Sequence, residues 1–237
     1  MSWNETQRPI PVRTSSPGAY RPEARPVSAL QTNAVLRNTY WLLSLTLLFS
    51  AGMAAMSMAM RVPPLHWAVM LGGMFGLLFL THATRNSAWG LLSVFAFTGF
   101  IGFATGPVIT AYLTAFSNGA ELVMMAAGGT GAIFLGLSAY ALTTKRDFSG
   151  MGKFLFIGLM VIVIASIANI FLNISGLALA VSTAAIAIFS GLILYDTQRI
   201  VQGGETNYIS ATVGLYLSVY NLFMSLLQLG GFLGGED

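Results

Sequence analysis

Seven long apolar stretches fill this chain from about Leu36 to Leu233, and few charges interrupt them. A run of roughly 20 apolar residues is long enough to cross a bilayer as a helix. In lipid each backbone polar group must find its partner within the segment or by closure of a barrel, so apolar runs of this length imply helices. The expectation is an all-α integral membrane protein with almost no soluble part. Its function must then sit in a few intramembrane polar groups, in short loops, or in the N-terminal segment.

Composition narrows the classes further. The chain is 55% hydrophobic and 8% charged, with a mean hydropathy of +0.74, whereas a soluble domain carries about 25% charged residues. Its 237 residues leave room for one helical bundle and no second folded domain. Cysteine is absent, which excludes disulfides and thiolate metal sites. The two histidines, His66 and His82, have no partner at ligand spacing, and no metal is expected. A net charge of +3, scattered along the chain, does not suit nucleic acid. No nucleophile–base pair, phosphate loop or zinc motif is present. The reading is of a protein that is not an enzyme and needs no cofactor, with the lipid bilayer as its first partner.

Residues 1–33 differ in kind. They hold five of the eight prolines and four arginines, with no apolar periodicity, which predicts a disordered tail. No apolar region follows early enough for a cleavable signal. The expected spans are about Leu36–Met60, Leu65–Thr81, Ala88–Leu113, Glu121–Thr143, Phe154–Leu172, Leu177–Tyr195 (continuing into Asp196) and Asn207–Leu233. Val62-Pro63-Pro64 predicts a sharp turn, and Gly106-Pro107 a kink in the third span. With seven spans, ten of the eleven basic residues fall on one side of the membrane: those of residues 1–37, then Arg85, then Lys145, Arg146 and Lys153, then Arg199. The positive-inside rule places that side in the cytoplasm, with the C terminus periplasmic.

Asp196 is the foremost candidate for chemistry, because ionisable residues in membrane segments are costly and usually functional. Two readings stand: a carboxyl group withdrawn from water that exchanges a proton, or an interfacial carboxylate paired with Arg199 one helical turn on. The seventh span carries Asn207, Ala211, Gly214, Ser218, Asn221, Ser225 and Gln228. Their spacing keeps this small or polar stripe on one helical face, which must avoid lipid. Ser166, Asn169 and Asn173 repeat the pattern in the fifth span. Interhelical hydrogen bonding is the expected role, with a polar path along a central helix as the alternative. Gly72/Gly76 and Gly102/Gly106 have the spacing that lets helices approach closely; packing within the bundle is expected of both, with a dimer interface as the alternative. Glu121 suits the first turn of its helix. His82 and Arg85 are expected to be loop residues without partners, and Met53, Met56, Met58 and Met60 to be packing or lipid-facing residues.

The segment Gly191–Leu227 has a Tyr-Asp at the end of the sixth span followed by a Leu-Tyr…Asn-Leu-Phe seventh span. It resembles the signature of the Bax inhibitor-1 family. Residues 35–40, 96–100, 106–107, 141–144 and 203–209 resemble the family's bacterial YccA-like branch, and the resemblance covers about residues 34–233. It implies a seven-helix bundle with a central seventh helix, placed in the bacterial inner membrane.

The wider family implies a pH-sensitive calcium leak, with an aspartate pair between the sixth and seventh helices as proton sensor. By position the first aspartate is Asp196, and the second falls on Ser218. A carboxylate beside a serine cannot share a proton as two carboxylates do, and a Ca2+ ion would lose a hard anionic ligand. Asp196, Ser218, Asn221, Arg199 and Glu205 are the proton-sensing or ion-pathway candidates. The YccA-like branch implies instead a modulator of FtsH, a membrane-anchored ATP-dependent protease, which such a protein binds and which slowly processes it through the tail. A flexible segment of 33 residues reaches roughly 30 Å, enough for an initiation site.

Overall fold

The computed structural model describes residues 29–234, with side chains from Asn33. Those residues form seven helices and no strand: α1 (Ala29–Ala59), α2 (Trp67–Thr84), α3 (Trp89–Ala115), α4 (Gly119–Thr143), α5 (Met151–Leu172), α6 (Ser175–Val201) and α7 (Tyr208–Leu233). All seven are long and apolar enough to cross a membrane.

Two boundaries differ from the sequence expectation by more than three residues, and a smaller shift carries α2 past Thr81 to Thr84, so that His82, expected in a loop, lies in its last turn. Helix α1 begins at Ala29, inside the stretch read as tail, because no proline interrupts the chain between Pro26 and Pro63. Residues 1–28 lie outside the described residues, and with them most of the expected disordered tail. Helix α6 runs past Asp196, as far as Val201, so Thr197, Gln198 and Arg199 belong to the helix and the following loop is shorter. The helix stops only where Gly203 takes φ 75°, a conformation open to glycine. Helix α3 continues through Pro107. The turn after α1 places Arg61 at φ 51°, and the His66 side chain caps α2 by accepting from the Ala68 N–H at 3.3 Å.

Helix α7 is the axis of the bundle and packs on α6, α4, α1 and α3. Ala211, Ser218 and Ser225 of its polar stripe are buried, and so are Ile209, Leu215, Tyr216, Leu222 and Leu227 of its other faces. The inward turn of the stripe is thus as expected at these three positions, although Gln228 at its far end is exposed, and the apolar faces are enclosed as well. One core cluster joins Leu43, Val94, Phe97, Leu215 and Tyr216 across α1, α3 and α7. A second joins Ile162, Phe189, Ile193 and Leu222 across α5, α6 and α7. Helices α2 and α5 stand outside, packed chiefly on α3 and α6 respectively. Their outer residues, such as Phe79, Ile164, Ile170 and Phe171, are exposed. Exposed apolar faces of this extent are what a lipid-facing helix presents.

The two glycine pairs part company. A β-carbon on Gly106 would lie 2.7 Å from Ser57 Cβ and 2.8 Å from the Ala54 carbonyl oxygen, and one on Gly102 would collide with the Ser50 backbone. This pair lets α1 and α3 touch backbone to side chain, as expected. Gly72 and Gly76 have nothing within 4 Å. The expectation that they pack within the bundle fails, because α2 turns Gly73, one position away, toward α3.

Candidate functional site

The last turns of α6 carry Asp196 and meet a different element at each successive residue, as a rotation of about 100° per residue requires. Asp196 faces α7: a β-carbon on Gly214 would lie 3.5 Å from its Oδ2. The Thr197 hydroxyl meets the Tyr40 hydroxyl of α1 at 3.2 Å. Gln198 reaches the α4–α5 loop, accepting from the Phe148 N–H at 2.7 Å and donating to the Arg146 carbonyl. Ser149 of the same loop donates to Gln202 Oε1 at 3.4 Å. Hydrogen bonds from the Ser149 hydroxyl, and then from its backbone N–H, hold the exposed Asp147 carboxyl below the usual carboxylate range.

The entrance to α7 is fixed as firmly. Asn207 Oδ1 accepts from the N–H groups of Ile209 and Ser210, both at 3.0 Å, a side-chain cap of the kind that starts helices. Asn207 Nδ2 donates to the Arg85 carbonyl at 3.1 Å and to Asn86 Oδ1 at 2.8 Å. Asn207 therefore caps the helix and ties it to the α2–α3 loop rather than continuing the polar stripe. Arg85, expected to lack a partner, donates to Ser210 Oγ at 3.3 Å and lies 3.5 Å from His82 Nδ1. The chain reversal after α6 brings the α2–α3 loop against the start of α7, a contact that sequence spacing does not reveal.

The five sequence candidates separate into three places. Arg199 Nη2 pairs with Glu205 Oε2 at 3.5 Å, and both are at least partly exposed. The expected alternative pairing of Arg199 with Asp196 is replaced by this one, because the α6–α7 turn folds Glu205 back over the helix end. Asp196 has no hydrogen-bond or ion-pair partner among the described residues. Ser218 is buried on α7, one turn past Gly214 and about 6 Å along the axis. Asn221 is engaged with its own helix, Nδ2 donating to the Leu217 carbonyl at 2.8 Å.

Sequence reading missed the aromatic side of α7. The Tyr216 hydroxyl lies 2.7 Å from Ser50 Oγ and donates to the Thr98 carbonyl at 3.2 Å. Thr105 donates to the Tyr220 hydroxyl at 3.4 Å, and the two tyrosine rings stack with centroids 6.4 Å apart. Both rings border a groove of about 640 Å³ between α1, α3, α4 and α7, lined almost wholly by apolar side chains such as Met58, Ile109 and Phe223. The available signal was the i, i+4 tyrosine pair within a span, where each ring brings a hydroxyl that must be satisfied.

These features define a class: a seven-helix integral membrane protein whose central seventh helix is flanked by an aspartate of the sixth. The chain belongs to the Bax inhibitor-1 family, since the family model described as inhibitor of apoptosis-promoting Bax1 matches residues 32–236. It is 50% identical over 86% of its length to the Escherichia coli K12 protein named modulator of FtsH protease YccA, covering 93% of that protein. A second Escherichia coli relative, named inner membrane protein YccA, matches to the same extent. An uncharacterised Pseudomonas aeruginosa protein is 48% identical over 87% of this chain and 93% of its own length.

Proposed function

We propose that this protein binds and modulates the membrane-anchored protease FtsH in the bacterial inner membrane, acting as a regulator rather than an enzyme. The observation that carries the reading is the 50% identity, over nearly the whole bundle, to a protein named for that modulation. The arginine-rich N-terminal segment lies in the cytoplasm on the charge distribution, with the C terminus periplasmic. There the protease engages it, while the packed bundle behind resists extraction and slows turnover. A protein chase tests this in cells expressing the full chain or a form lacking residues 1–33, with a second membrane substrate of FtsH followed alongside. The expected result is turnover of the full chain, persistence of the shortened form, and slowed degradation of the second substrate. No effect of either form on that substrate would sink the proposal.

A second reading, a proton-gated calcium or cation leak, draws support from Asp196, an ionisable residue within a span that has no partner among the described residues. Vesicles containing the purified protein would then show a pH-dependent Ca2+ flux that Asp196→Asn abolishes. Equal flux from the variant excludes this role. The modulator reading predicts that Asp196→Asn leaves protease regulation intact.

A further inference from the structure

At the end of the bundle remote from Asp196, a pocket of about 240 Å³ opens between α5, α6 and α7, lined by Ser166, Asn169, Ile170, Ala178, Val181 and Gln228. Its polar members belong to the polar stripes of the fifth and seventh spans, and bonds within the bundle use only part of their capacity. Ser166 and Gln228 are exposed, on a surface otherwise made of residues such as Ile164, Ile167, Ile170 and Phe171. Polar side chains are unfavourable against hydrocarbon unless they find partners. Here the two amide oxygens are already engaged. Asn169 Oδ1 accepts from the Ile174 N–H at 3.0 Å, closing the end of α5. Gln228 Oε1 accepts from Ser182 Oγ at 2.7 Å. The groups left free among the described residues are therefore chiefly donors: Asn169 Nδ2, Gln228 Nε2 and the Ser166 hydroxyl, which donates as well as accepts. No charged side chain lines the pocket.

Depth narrows what can meet those donors. Asn169 lies three residues before the end of α5 and Ser166 six, while Gln228 lies five before the end of α7. At 1.5 Å per residue, these positions are about 5 to 9 Å in from the helix ends. A hydrocarbon core of about 30 Å and an α5 of about 33 Å put these positions about 3 to 8 Å below the level where acyl chains meet the polar region, among the first carbons of the chains.

We infer that this pocket binds the glycerol-ester region of a diacyl phospholipid, its three donors meeting ester carbonyl oxygens and its Ile170, Ala178 and Val181 wall meeting the first acyl carbons. An uncharged, acceptor-rich group suits an uncharged, donor-rich pocket. With no cation in the lining, the site selects the ester linkage rather than the headgroup.

Native mass spectrometry of the full chain, titrated with a diester phosphatidylethanolamine or its dialkyl-ether counterpart, tests the inference. The ether lipid keeps the headgroup and chains but has no carbonyl oxygens. The wild-type protein is expected to bind the diester lipid about three- to tenfold more tightly, the range that membrane hydrogen bonds confer. Asn169→Leu/Gln228→Leu is expected to lose that preference while still binding lipid non-selectively. Equal binding of both lipids by the wild type overturns the inference without recourse to any variant. So does a dimer that the double variant abolishes, since a second protein helix would then occupy the pocket.

Discussion

Helices α2 and α3 are sequence neighbours, both apolar and both carrying a GxxxG pair, yet the structure uses them in opposite ways. Helix α3 buries a dozen residues, among them Val94, Phe97, Gly102 and Gly106. Helix α2 buries Thr81 alone. The glycines of α3 meet the backbone and side chains of α1, whereas Gly72 and Gly76 meet nothing, and Gly73 instead lies under the Phe100 ring. Small-residue spacing therefore makes close approach possible without saying that it occurs. Which face of a helix is used depends on what lies opposite.

Three substitutions sharpen that contrast. Gly102→Leu should have the largest effect, because the added atoms meet the fixed Ser50 backbone. A cost of about 3 kcal/mol or more, the upper range of overpacking, should appear as a large fall in the thermal unfolding midpoint in detergent. A small fall would mean that the α1–α3 crossing is looser than described. Gly73→Leu should cost less, about 1 to 2 kcal/mol, because the obstructing atoms are the end of a side chain that can turn aside. The same melting measurement ranks it, and a loss equal to that of Gly102→Leu would contradict a yielding Phe100. Gly72→Leu should change stability by no more than about 0.5 kcal/mol, as exposed substitutions do. A large loss of stability or of a dimer peak in size-exclusion chromatography would show that this face of α2 is covered by another chain.

The Asp196 end shows the same division on a finer scale. Its carboxylate faces Gly214, and the residues that follow it tie α6 to α1 through Tyr40 and to the α4–α5 loop through Gln198. Position in the motif identified Asp196 and Ser218 as the residues to watch. Motif position could not show that Arg199 turns to Glu205, because an i, i+3 neighbour and a loop residue compete for one guanidinium and only the turn geometry decides. Gln198, Gln202 and Tyr40 lie in the family's motifs but carried no signal of what they would bond. Their partners are 50 to 157 positions away in the chain, and a glutamine near a helix end reads as an ordinary solvent-facing residue.

The number of spans, their helical character and the inward turn of the middle of the α7 stripe, from Ala211 to Ser225, were legible because lipid imposes them locally. Backbone groups must be paired within each segment, and polar faces must turn from hydrocarbon. The α6 boundary was misplaced because the polar run Thr197-Gln198-Arg199 looks like a loop, although a helix continues until a glycine ends it. Family membership was also legible, since it rests on motifs in order along the chain. What tertiary structure alone decided was which elements enclose α7, which glycine pair is used, and which polar groups are left without partners. Apolar helices are all alike to the bilayer, so their mutual arrangement rests on packing and on a few directional hydrogen bonds between residues far apart in sequence.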